Sequence, residues 1–167
     1  MPQAQPVGYI VLGAVIALFS GFFTQVIILK WQDSRMLAML KVLLSDAISQ
    51  MNTVIDSIEL IHSKLKTVYI EQLMQLRSAR LNYDKNKDFI IRIKTIKLRK
   101  DITDYFDTMM IFDSVVFALL GMKNKGQFVE YADGEIKKQI DRLPGIKELG
   151  KSIIGDLDKL KTFLFCT

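Results

Sequence analysis

His62 and Cys166 are the only histidine and cysteine in the chain, and so its whole supply of the side chains most used as soft metal ligands and neutral-pH bases. A zinc sphere draws on three or four protein ligands, so one Cys and one His do not complete it, and one Cys closes no intrachain disulfide. No metal, cofactor or catalytic residue is therefore expected. Asp104 and Asp107 are paired carboxylates, but acidic residues three apart are commonplace on helices. Asp113 differs, because it sits with Ser114 in the otherwise apolar run 109–122. A carboxylate is costly to desolvate there, and a hydrogen bond from a neighbouring hydroxyl would offset the cost. The phosphate-loop, dinucleotide, zincin, C-x-x-C and nucleophile-elbow patterns are all absent. The chain is expected to be non-enzymatic.

Charge offers a stronger lead. Residues 77–100 hold Arg77, Arg80, Lys85, Lys87, Arg92, Lys94, Lys97, Arg99 and Lys100 against Asp84 and Asp88. That is +7 locally, which leaves −2 for the remainder of a chain of net charge +5. Such a cluster attracts nucleic acid, an acidic protein or anionic lipid, or is simply a solvated face. Only Tyr83 and Phe89 are at hand for base stacking, so no base-specific signal is present and nucleic acid is weakly supported.

The elements that position these residues begin with an apolar run. Residues 7–29 read VGYIVLGAVIALFSGFFTQVIIL, 23 residues without a charge. At about 1.5 Å per residue a helix of this length crosses the roughly 30 Å hydrocarbon core. No basic residue precedes the run and no small-residue cleavage pattern follows it, so a retained anchor is predicted in place of a signal peptide. Lys30, Arg35 and Lys41 follow, and Tyr9 and Trp31 sit at opposite ends. This pattern predicts a single pass through the cytoplasmic (inner or plasma) membrane, residues 1–6 outside and the remainder in the cytoplasm. Gly13, Ala17, Gly21 and Gln25 form one row of this helix, with Ser20 and Thr24 beside it. Small residues at this spacing admit a second helix, and an amide in lipid seeks a partner.

Neither Gly nor Pro occurs from Phe22 to Leu120. Within this stretch Leu37, Leu44, Met51, Ile58 and Leu65 recur every seven residues, and Leu40, Ala47, Val54, Ile61 and Val68 follow each by three. The pattern predicts one helix over 33–81 with its seam on these positions, widened by Ile48, Ile55, Tyr69 and Leu76 into a bundle face. Gln50, Asn52, Asp56, Glu59, Lys64 and Lys66 read as its polar side, and His62 as a packed or half-exposed member of the stripe. The polar run 82–88 predicts the turn of a long hairpin spanning 30–122. Asp88 would cap a second helix over 88–120, with a strand over 89–98 as its competitor. The run 109–122 is short for a second span and reads as a buried core helix. Were the first helix straight, the turn would lie about 75 Å from the bilayer. That is far beyond a Debye length of about 8–10 Å, so the cluster would meet nucleic acid or an acidic partner before lipid. The six glycines from Gly121 to Gly155 and Pro144 predict, over 123–167, short helices over 127–142 and from 144 onward, completing the bundle. Glu148/Lys151 and Asp158/Lys161 read as surface pairs, and Phe163, Leu164 and Phe165 as docked on the bundle.

The fold class expected is all-α: one membrane helix followed by a coiled-coil-like helical hairpin and bundle. The function expected is that of a membrane-anchored scaffold or adaptor, self-associating through the anchor and the heptad stripe and recruiting a cytoplasmic protein. A pore-forming or membrane-perturbing effector gated by the cytoplasmic domain is the alternative, and a membrane-tethered nucleic-acid binder using 77–100 a weaker one.

Overall fold

With no Gly or Pro to interrupt it, the chain from 22 to 120 is free to stay helical wherever burial rewards it, and a computed structural model shows where it does. The structure describes residues 5–126 and 128–160. Five α-helices follow one another: α1 Gln5–Leu65, α2 Ile70–Asn86, α3 Ile96–Asn124, α4 Val129–Ile140 and α5 Leu143–Asp158, with a 3-10 segment Lys87–Arg92 between α2 and α3. No strand occurs among the described residues. The described residues fall into two units that divide between Ala38 and Met39. The first is the leading part of α1. The second, from Met39 on, is a bundle of the remainder of α1 with α2–α5.

The helix predicted over 33–81 breaks at 66–69. Lys66 is left-handed (φ 53°), and its N–H donates to the His62 carbonyl at 2.9 Å, closing α1 without a glycine. Thr67, Val68, Tyr69 and Ile70 follow, β-branched or aromatic residues that lose side-chain freedom in a helix. α2 then starts with the Gln72 side chain accepting from the Tyr69 N–H at 3.1 Å. The heptad rule runs on through this break because Val68 is buried, but it is buried in the turn. Leu65, the last seam position on α1, is 60% exposed.

The predicted turn over 82–88 also moves. α2 continues to Asn86, and the corner is the 3-10 segment plus the non-helical residues 93–95, which places Asp88 inside the 3-10 segment and Thr95 at the start of α3. The segment 89–98 is therefore neither continuous helix nor strand. Burial sets this geometry: Ile90 and Ile93 point inward while Phe89, Ile91 and Ile96 stay exposed, a spacing that fits a tight corner.

Pairwise contacts give the register of the second unit. α2 returns alongside α1, with Gln72 Nε2 donating to Ser57 Oγ at 3.0 Å. α3 runs antiparallel to α2, with the Tyr83 and Phe106 rings stacked at 3.9 Å and Arg77 bonded to Asp113. Tyr105 of α3 donates its hydroxyl to Asn52 Oδ1 of α1 at 3.0 Å. α5 runs antiparallel to α1: Lys147 pairs with Asp56 at its start, and Lys41 with Asp158 at its end. α3 is thus the central helix, with Ile102, Tyr105, Phe106, Met109, Phe112, Val116, Leu119 and Leu120 all buried. Asn52, expected on a polar face, is instead buried beneath it.

α4 and α5 fall near the boundaries expected, and Pro144 occupies the first turn of α5 as a residue without an N–H should. Glu148 and Lys151 pair at 2.6 Å, whereas Asp158 turns to Lys41. Lys161 and the expected docking of Phe163, Leu164 and Phe165 lie outside the described residues, as does Cys166.

Two substitutions test this packing by chemical denaturation of the full chain. A methyl built on Gly150 would meet Tyr105 Cε2 at 2.8 Å and both Asn52 amide atoms at 3.0 Å. Gly150→Ala should cost about 1–3 kcal/mol. Lys66→Gly should stabilise by roughly 0.5–1 kcal/mol, since glycine takes the left-handed conformation without strain.

Candidate functional site

The side chains of residues 12–31 are exposed apart from half-buried Val26, although most are apolar. Two helices, α1 and α3, are long and apolar enough to cross a membrane. The apolar window of α1 is 0% buried, while that of α3 is 44% buried within the bundle. Gly13, Ala17, Gly21, Gln25, Ser20 and Thr24 all lie exposed on α1, and a methyl on Gly13 or Gly21 would meet nothing within 4 Å. Ser20 Oγ donates to the Ala17 carbonyl at 3.0 Å and Thr24 Oγ1 to that of Ser20 at 2.7 Å. These hydroxyls are satisfied on their own helix. Among the described residues the Gln25 amide has no hydrogen-bond partner.

In the heptad stripe Leu40, Leu44, Met51, Val54 and Ile58 are buried, together with Ala47, Ile48 and Ile55, so the broad face reads through as a core face. Leu37 and Ile61 are half-buried, Val68 lies in the turn and Leu65 is exposed.

The nine basic residues of 77–100 separate by type. Arg77 Nε donates to Asp113 Oδ2 at 2.7 Å, and its guanidinium lies 4.6 Å from the Phe117 ring centre. Arg80 pairs with Asp84 at 3.1 Å. Arg99 Nη1 reaches the Ile91 carbonyl at 3.4 Å, and Arg92 lies over the Phe89 ring at 5.8 Å. The arginines are thus engaged within the fold: Arg77 across α2 and α3, Arg80 along α2, and Arg92 and Arg99 at the corner between them. Lys85, Lys87, Lys94, Lys97 and Lys100 are exposed, and none of them has a carboxylate within 4.0 Å among the described residues. The partner of Asp113 is thus a guanidinium from another helix, not the neighbouring hydroxyl expected. Nothing in the sequence spacing joins positions 36 residues apart.

The position of the cluster differs from that of a straight first helix. Because α2 returns from Lys66 and α3 starts afresh at Ile96, the corner 85–100 lies at the end of the bundle where Met39–Lys41 enter. The Lys41–Asp158 pair marks that end. Asp156, two residues earlier on α5, is held below the usual carboxylate range first by the Lys159 hydrogen bond and then also by the nearby charge of Lys97.

Chemistry is sparse elsewhere. No group of three or more His, Cys, Asp and Glu residues suited to a metal occurs among the described residues. A cleft of about 340 Å³ lies at the opposite end of the bundle, lined by 67–71 with Leu120, Lys123 and Asn124. It holds Glu71 and Lys123 but no His or Cys. His62 is half-buried, and its pKa is lowered by desolvation and then by Lys66. Tyr105 is pushed upward by burial. Burial is the leading cause of both shifts. No family model, curated protein or solved structure matches the chain.

The Arg77–Asp113 pair gives a stability test. Asp113 is 5% exposed, and its Oδ1 already lacks a partner. Arg77→Ala should cost about 1.5–3 kcal/mol by removing the charged donor to Oδ2. The double variant Arg77→Leu/Asp113→Leu should recover most of that loss in the same denaturation measurement.

Proposed function

We propose that this protein is a single-pass membrane scaffold, in which α1 anchors the chain and associates with α1 of neighbouring copies while the bundle recruits a partner. The observation that carries the reading is a contrast in packing. The bundle buries its heptad face within one chain, whereas the Gly13/Ala17/Gly21 row and the Gln25 amide are left open on an apolar helix. Lipid offers the amide nothing, and small residues let a second backbone approach closely enough for van der Waals contact and an interhelical amide bond. Lys30, Arg35 and Lys41 favour the bundle on the cytoplasmic side of the inner or plasma membrane.

Self-association through the heptad stripe, expected from the sequence, is the weaker part of this reading, because Leu40, Leu44, Met51, Val54 and Ile58 are already buried within one chain. The pore-forming alternative stands second. Ser20 and Thr24 give their hydroxyls to their own backbone and offer little to line an aqueous path.

The test is native mass spectrometry of the full chain released from vesicles, with Gly13→Leu/Ala17→Leu alongside. The wild type should carry an oligomer that the variant shifts toward monomer by roughly tenfold. An unchanged mass distribution would sink the proposal. Leakage of a vesicle-trapped dye, measured in parallel, would favour the pore.

A further inference from the structure

We propose that the basic corner 85–100 docks on the anionic headgroup surface of the membrane that holds α1; this rests on the reading of α1 as an anchor. Within 85–100 seven basic residues stand against Asp88 alone. The five lysines among them are exposed, and although Lys97 lies near enough to Asp156 to lower its pKa, none has a carboxylate within 4.0 Å among the described residues, so their charge is available to an outside surface. Between them lie Phe89, Ile91 and Ile96, 37%, 73% and 72% exposed. Branched aliphatic side chains flanked by lysines match the boundary between headgroups and acyl chains. There the apolar groups insert shallowly while long ammonium stems reach back to phosphate.

Chain connectivity brings this surface within reach. Leu29 and Met39 are ten residues apart, at most about 36 Å even when fully extended. The corner lies at the end of the bundle that begins with Met39. A tether this short supplies a high effective concentration, so each lysine need contribute only modestly. Nucleic acid is the poorer fit, because the corner has one aromatic ring, Phe89, and one face of it already lies under Arg92, so a run of bases finds no row of stacking platforms.

The full chain, with Cys166→Ser and Thr95→Cys, is labelled with an environment-sensitive dye and reconstituted into vesicles of phosphatidylcholine with or without phosphatidylglycerol. The expected result is a blue-shifted dye, quenched by brominated acyl chains, in the anionic vesicles only and reversed by high salt. A label at Lys125→Cys, at the other end of α3, should be insensitive. Lys87→Gln/Lys94→Gln/Lys100→Gln should lower the docked-to-free ratio by about fivefold per lysine, some hundredfold together. Retained folding of this variant is checked by circular dichroism. Equal signals in both lipids, or undiminished quenching in the triple variant, would overturn the docking. Flotation after alkaline carbonate reports the anchor separately: a chain that floats yet shows no lipid-dependent signal refutes docking alone, and a chain stripped from vesicles refutes both. Retardation of RNA or DNA that the triple variant abolishes, with a lipid-insensitive label, would assign the corner to nucleic acid instead.

Discussion

The reversal at 66–69 decides which helix ends meet. Once Lys66 turns left-handed and Tyr69 hands its N–H to Gln72, α2 returns along α1 and the chain reaches its second corner after Asn86. α3 then runs back past the first reversal, so Leu120 and Asn124 line a cleft with Val68 and Tyr69. Had the helix continued, the apolar face of 37–65 would have extended along a single rod with nothing folded over it. The break lets one chain bury that face with its own later helices. This is why Leu40, Leu44, Met51, Val54 and Ile58 of a stripe that resembles an intermolecular seam are buried within one chain.

Two polar contacts then fix how the returning helices slide against one another. Apolar contact is non-directional, and a helix moved by one turn would still bury leucines and isoleucines. The Tyr105 hydroxyl has one buried acceptor, Asn52 Oδ1, and Gly150 leaves the room that lets α5 lie across the pair. The Arg77–Asp113 bond sets the matching register of α2 on α3. An unmet hydroxyl or carboxylate in the core costs more than a displaced methyl group, so these contacts penalise slipped packings.

The helical class, the apolar N-terminal segment and the buried face over 40–58 were legible because each is a periodic or cumulative signal. Corners were less so. The first is made without Gly or Pro, by the run Thr67-Val68-Tyr69-Ile70 after a lysine, and the heptad template accommodates Val68 whether the helix goes on or stops. The second was placed in the most polar residues, 82–88, but Tyr83 stacks on Phe106, and that burial keeps α2 helical for another turn. Asn52 illustrates the limit of a face-by-face reading. Its position on the helical wheel is intermediate, and only the distant Tyr105 and Gly150 make it interior. The basic cluster was legible as a cluster, while its place in the fold depended on a corner the pattern did not reveal.

Within that cluster the division between arginine and lysine has a physical basis. A guanidinium is planar, weakly hydrated and supplied with several fixed donors, so it can bond a carboxylate, cap a carbonyl and lie over a ring while partly buried. Arg77 does so between α2 and α3, Arg80 along α2, and Arg92 and Arg99 at the corner itself. An ammonium is compact and strongly hydrated, and without a matched partner it stays in water. The lysines at 85, 87, 94, 97 and 100 accordingly point outward from a corner that the arginines hold in shape. Neutralising Arg77 strands the buried Asp113 carboxylate, whereas neutralising one of these exposed lysines alters the field outside the bundle. One stretch of sequence thus supplies both a rigid corner and a free positive surface, and the second exists only because the first is held by different side chains.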